Sequence, residues 1–160
     1  ELLDDPSIRA VFNPDALARW DSPERRAEVV DADNFEDSKA AFRQLQDFLK
    51  TIHDAGIQVA IGTDAGTANV PFGWGLHREM AIYVEAGLTP MQAIVAATAT
   101  GAAQIPPLGE ADFGTLVPGK VADLVVLDAD PLLDIRNTQK IDRVMRLGEW
   151  VDRTRLLPTK

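Results

Sequence analysis

The sequence predicts an α/β fold that is incomplete on its own, the closing part of a larger domain followed by a small all-β end. Three observations predict it. A helical pattern over Glu36–Asp54 feeds directly into the apolar run Ile57-Gln58-Val59-Ala60-Ile61, which is the αβ half of a parallel unit. Two more helical patterns follow, and beyond Pro106-Pro107 the pattern changes to short strands and tight turns. A lone parallel strand can neither satisfy its own ladder nor cover its edges, so the elements are too few for a closed α/β domain.

Each element has a local cause. Residues 1–33 are interrupted by Pro6, Pro14 and Pro23, with charges gathered at Glu24-Arg25-Arg26, and short helices and loops are expected there. In the helix from Glu36 to Asp54, Phe42, Leu45, Leu49 and Ile52 recur at helical spacing and form one apolar face. Asn34 is placed to cap it, Asp37 favours its dipole, and Gly56 can end it in a left-handed conformation. The strand over residues 57–62 comes next. Gly73-Trp74-Gly75 opens a helix of about Leu76 to Ala86, closed by Gly87. Thr89, Pro90 and Gln92 then supply the cap, the first helical residue and the return partner of a capping box, for an alanine-rich helix to about Gln104. In the last part, Pro118-Gly119 suits a type II turn, Val121 to Leu127 reads as a strand, and Ile141 to Asp152 as a hairpin turning near Gly148.

Composition narrows the function. With 160 residues, 46% of them hydrophobic, the chain can bury one sizeable core. Its 25 acidic against 16 basic residues, net −9, argue against a binder of nucleic-acid backbones, which needs clustered Lys and Arg. No apolar run approaches the ~20 residues of a membrane span. The absence of cysteine excludes disulfides and Cys-ligated zinc and leans towards the cytoplasm. The first residues, Glu1-Leu2-Leu3-Asp4-Asp5, carry no basic region and no initiator Met, so the chain reads as a piece of something longer rather than one led by a signal peptide.

The chemistry centres on Gly62-Thr63-Asp64-Ala65-Gly66-Thr67. Asp64 stands just past the carboxyl end of an apolar strand, where parallel sheets and barrels place catalytic side chains. A carboxylate there can bind a metal or move a proton; it can equally form an Asx turn or cap a helix. An anion cradle is the third reading, but the lysine and glycine spacing of a phosphate loop is missing.

Five segments occur in order: Gly62-Thr63-Asp64-Ala65-Gly66, Leu76-His77-Arg78-Glu79-Met80, Glu85-Ala86-Gly87-Leu88-Thr89-Pro90, Ala96-Ala97-Thr98-Ala99-Thr100, and the stretch from Gly114 through Pro118-Gly119-Lys120 to Leu127. From about Ala55 to Arg153 the chain closely resembles the C-terminal part of the metal-dependent amidohydrolase superfamily. It is most similar to the branch with imidazolonepropionase-like and prolidase-like enzymes. The resemblance implies the C-terminal portion of a (β/α)8 TIM barrel in residues 1–105, with 57–62 as its last strand and the following helices closing it. It implies part of a small composite β-sandwich in residues 106–160. It also implies that Asp64 is a metal ligand and proton shuttle, taking a proton from metal-bound water and passing it to the leaving amine. The resemblance further implies that the metal is zinc or another divalent ion, one or two in number, and that the substrate is a small-molecule amide, dipeptide or cyclic amide.

The chain departs from the family pattern in its ligands. The family's His-x-His pair, a midway lysine or glutamate and two later histidines have no counterpart; the chain holds two histidines, His53 and His77. A catalytic zinc takes about three protein ligands, so the 160 residues alone are expected to bind metal poorly and to lack hydrolase activity, with the N-terminal part of the barrel as the missing partner. Homo-oligomerisation stays open. His77 and Thr67 are candidate substrate contacts, and each has a structural alternative in packing or local backbone bonding. His53 reads as a surface residue, Lys120 as solvated turn chemistry, and Asp123, Asp128 and Asp130 as strand-end and turn charge. The competing reading is a non-catalytic subunit or interaction module that completes a partner's barrel.

Overall fold

Helices come first and a small sheet last in the computed structural model, which describes Arg9 and residues 14–30, 35–65, 70–105 and 111–155. Helices α1 (Pro14–Trp20) and α2 (Pro23–Val30) each begin on a proline with an acidic residue in the first turn, so the short helices expected in this region are present. Helix α3 (Phe35–Asp54) follows; Asn34, its expected cap, lies outside the described residues. Gly56, at φ 81°, ends it. The Gly56 N–H donates to His53 O at 2.9 Å and the Ile57 N–H to Ile52 O at 3.1 Å, the paired bonds of a Schellman motif.

The same device closes α4 (Trp74–Glu85), which begins two residues ahead of the expected start. Gly87, at φ 99°, donates to Val84 O, and the Leu88 N–H donates to Tyr83 O at 3.1 Å. Leu88 is thereby turned into the core, where it is 4% exposed. Helix α5 (Pro90–Val95) opens with the expected capping box: Thr89 Oγ1 accepts the Gln92 N–H, and Gln92 Oε1 accepts the Thr89 N–H at 2.7 Å. Thr89→Ala is expected to lower stability by about 1 kcal/mol, readable as a lower urea midpoint at unchanged slope.

The alanine-rich helix does not continue as regular α-helix to Gln104. It widens into a π-turn at Ala96–Thr100 and ends in one turn at Gly101–Ala103. Two bonds compete with the regular ladder here. The Thr98 hydroxyl donates to Ile94 O at 2.7 Å, and the Ile61 N–H donates to Ala96 O at 3.2 Å.

The core is built mainly from α4, α5 and the segment before Asp64. Met80, Ala81, Tyr83, Leu88, Ala93, Ala96 and Ile135 are buried together, with Leu49, Val59 and Ile61 packed against them. Ile135 arrives on a 3₁₀-helix, Ile135–Gln139, which sequence patterning had not indicated. The apolar face of α3 is only half used: Leu49 packs on the core, while Phe42, Leu45 and Phe48 stay exposed.

The all-β end is one three-stranded antiparallel sheet in the order β1 (Leu124–Leu127), β2 (Ile141–Arg146), β3 (Glu149–Trp150). Strand β1 is shorter than the expected Val121–Leu127, and its register with β2 shifts at Val126/Leu127. Between β2 and β3, Leu147 and Gly148 both take positive φ (52° and 81°), the signature of a two-residue type I′ turn. Asp123 Oδ1 accepts the Leu147 N–H and Asp130 Oδ1 the Leu132 N–H, the turn roles expected of these carboxylates. At Val117–Lys120 the expected type II turn forms, with Gly119 at φ 92°.

Residues 57–62, expected as the last strand of a barrel, run as chain outside the three-stranded sheet. They form no ladder with any strand among the described residues, because the chain's sheet lies elsewhere. A strand requires a neighbour to take its alternate N–H and C=O groups; among the described residues the Ile57 N–H bonds Ile52 O, the Ile61 N–H bonds Ala96 O, the Gly62 N–H bonds Glu79 and Ala60 O accepts the Tyr83 hydroxyl. The expected boundary at Pro106-Pro107 lies outside the described residues.

Candidate active site

Residues 60–65 are held by bonds from three directions. The Tyr83 hydroxyl donates to Ala60 O at 3.1 Å, the Ile61 N–H donates to Ala96 O, and the Gly62 N–H donates to Glu79 Oε1 at 3.2 Å. Gly75, Glu79 and Tyr83 recur every fourth residue on α4, so a single helix face meets the segment along its length. Gly75 permits close approach: a Cβ there would lie 2.9 Å from Val70 Cγ1 and 3.6 Å from Thr63 Cβ.

This segment delivers Asp64. The aspartate is exposed and adopts φ 49°, a left-handed backbone that Asp tolerates better than most residues. Immediately after it, the Ala65 N–H donates to Thr63 Oγ1 at 3.2 Å. A non-glycine residue in this conformation, bracketed by hydrogen bonds on both sides, marks a position where local strain is kept by its surroundings.

Glu79 belongs to the same electrostatic neighbourhood. Burial pushes its carboxyl above the ordinary value, the Gly62 N–H works against that, and the negative charge of Asp64 adds to it. Burial likewise raises the Tyr83 phenol, with the charge of Glu79 contributing. Sequence reasoning missed Glu79 and Tyr83. The available signal was a carboxylate on a helix whose neighbours Met80 and Ala81 are core residues, one turn from a tyrosine.

His77 lies elsewhere on α4. Its Nδ1 is 3.0 Å from Thr138 Oγ1, and that hydroxyl donates its proton to Ile135 O at 2.8 Å. The hydroxyl has one proton to give, so Nδ1–H is the donor and His77 carries its proton there, leaving Nε2 as an acceptor. The contact ties α4 to the 3₁₀-helix. Burial lowers the His77 pKa below its ordinary 6.5. Between the folded value and 6.5 the unfolded chain therefore binds a proton that the folded chain does not. This contribution to stability is complete above pH 6.5 and is lost as pH falls through that window. The expected result is a lower unfolding temperature on going from about pH 7.5 to 5.5, with a smaller fall in His77→Gln.

The other candidates are dispersed. His53 sits at the end of α3, its Nδ1 3.8 Å from Asp54 Oδ1. Lys120 Nζ donates to Ala111 O at 2.9 Å, a turn contact. Thr67 lies outside the described residues. Among the described residues no three His, Asp or Glu side chains gather to hold a metal ion. Among the described residues no helix is long and apolar enough to cross a membrane.

The sequence model of the amidohydrolase family matches residues 22–151, and the chain belongs to that family. Its relatives include the imidazolonepropionase of Cutibacterium acnes, 39% identical over 111 residues that cover 64% of this chain and 26% of that protein. The imidazolonepropionase of Streptomyces coelicolor is 45% identical over 82 residues, covering 48% and 19%. A solved Xaa-Pro dipeptidase with methionine bound in its active site superposes at TM-score 0.62 and 28% identity, covering 78% of this chain and 31% of that one. Phenylurea hydrolase B superposes at TM-score 0.54 and 34% identity, covering 70% and 27%. The chain thus spans about a fifth to a quarter of the length of the curated relatives it matches.

Proposed function

We propose that this chain is the C-terminal part of a metal-dependent amidohydrolase that cleaves an amide, dipeptide or cyclic amide C–N bond with metal-activated water. Asp64 is the residue it contributes to the centre, as metal ligand and proton shuttle. The observation that carries this reading is the exposed, left-handed Asp64 at the end of a segment braced by α4, in a chain of the amidohydrolase family. A relative acting on an Xaa-Pro dipeptide and others named imidazolonepropionase support a small amide or cyclic amide as substrate.

In this reading residues 1–105 are the last part of a (β/α)8 barrel and residues 106–160 part of a composite β-sandwich. The exposed Phe42, Leu45, Phe48 and Ile57 support it, because unpartnered apolar side chains of this size mark surfaces that another part of the protein covers. The preceding barrel strands supply the remaining ligands of a zinc or similar divalent ion, and the enzyme works in the cytoplasm. Complementation tests the proposal. Mixing this chain with a polypeptide that carries a His-x-His strand is expected to produce zinc binding and amide hydrolysis, both lost with Asp64→Asn. Tight stoichiometric zinc on this chain alone, or hydrolysis indifferent to Asp64, would contradict it.

A further inference from the structure

We propose that Glu79 is a positioning residue for Asp64: by accepting the Gly62 N–H it fixes the backbone that holds Asp64 in its left-handed conformation. The inference rests on the reading of Asp64 as the reactive carboxylate and extends it to a residue 15 positions away.

Three features carry it. Glu79 is half-buried on a helix face whose neighbours are core residues, where an apolar side chain would pack at lower cost, so its carboxylate requires a polar partner. That partner is the Gly62 N–H, two residues before Asp64. The bond also completes a row of anchors on the three consecutive residues that lead to the turn: Tyr83 holds Ala60, Ala96 holds Ile61 and Glu79 holds Gly62. Loss of the Glu79 acceptor would free the strained residue's upstream neighbours while the rest of the segment stayed anchored.

The test compares Glu79→Ala with Glu79→Gln in the protein at its natural length, reading amide hydrogen exchange at Gly62 and zinc affinity by chelator competition. Glutamine keeps an oxygen that accepts an N–H; alanine keeps none. The expected result for Glu79→Ala is roughly tenfold faster exchange at Gly62 and about 10–100-fold weaker zinc binding. Glu79→Gln is expected to stay close to wild type in both. Unchanged exchange in Glu79→Ala overturns the proposal. So does a Glu79→Gln variant that fails alongside Glu79→Ala, since charge rather than acceptance would then be at work. Faster exchange with unaltered zinc affinity overturns it as well, provided Asp64→Asn weakens zinc. If Asp64→Asn leaves zinc affinity unchanged, the functional reading itself fails and the role of Glu79 in placing Asp64 for a metal falls with it, while the exchange result still reports on the Gly62 bond separately.

Discussion

Asp64→Asn in the assembled enzyme is expected to lower kcat for amide hydrolysis by about 10²–10⁴-fold, the range a positioned proton-transferring group supplies. Folding should hardly change, because the side chain is exposed and surface substitutions of this kind stay within about 0.5 kcal/mol. Asparagine is the informative replacement. It shares the tolerance of Asp for a left-handed backbone, so φ 49° survives and only the acid–base and ligand chemistry is removed. Alanine would mix lost chemistry with backbone strain. Steady-state kinetics of the metal-loaded enzyme beside a thermal melt of the metal-free protein separates the two effects: a large fall in kcat at an unchanged metal-free melting temperature is the expected pair, because loss of a bound metal would itself lower the loaded enzyme's melting temperature.

The second large effect lies away from the carboxylate. Gly114→Ala is expected to destabilise the fold by about 2–4 kcal/mol, combining a left-handed alanine with overpacking. At φ 85° an added Cβ would lie 2.5 Å from Ala102 Cβ and 3.0 Å from Thr98 O. Neither is the far end of a flexible side chain, so the π-turn itself would have to shift. That turn also holds Ile61 through Ala96 O, which links the Gly114 loop to the segment bearing Asp64. Gly119→Ala is the control: it meets nothing within 4 Å and has a similar φ of 92°, so it carries only the backbone cost of about 1 kcal/mol. Urea unfolding of the two variants reads the difference directly.

These residues show which features are legible in a sequence. Helix ends depend on local chemistry, and Gly56, Gly87 and the Thr89–Gln92 box announce them within a few residues. The turns at Pro118-Gly119 and Leu147-Gly148 are legible for the same reason. Asp64 stands out because a carboxylate follows an apolar run. The π-turn is not legible, because one of its causes is a bond between Ile61 and Ala96, 35 positions apart. The 3₁₀-helix at Ile135–Gln139 gains its burial from packing against α4, which no local pattern encodes. Glu79 looks like any helical carboxylate until Gly62, 17 residues earlier, is seen to donate to it. The run over residues 57–62 has the composition of a strand, but composition does not supply a ladder partner.

The most direct measurement of the central claim is the intact denatured mass of the protein from its own source, taken with its metal content. A mass at least twice 17.4 kDa, with bound divalent metal that is lost on Asp64→Asn, is the predicted result. A mass near 17.4 kDa would contradict the claim that this chain is the C-terminal part of a longer amidohydrolase.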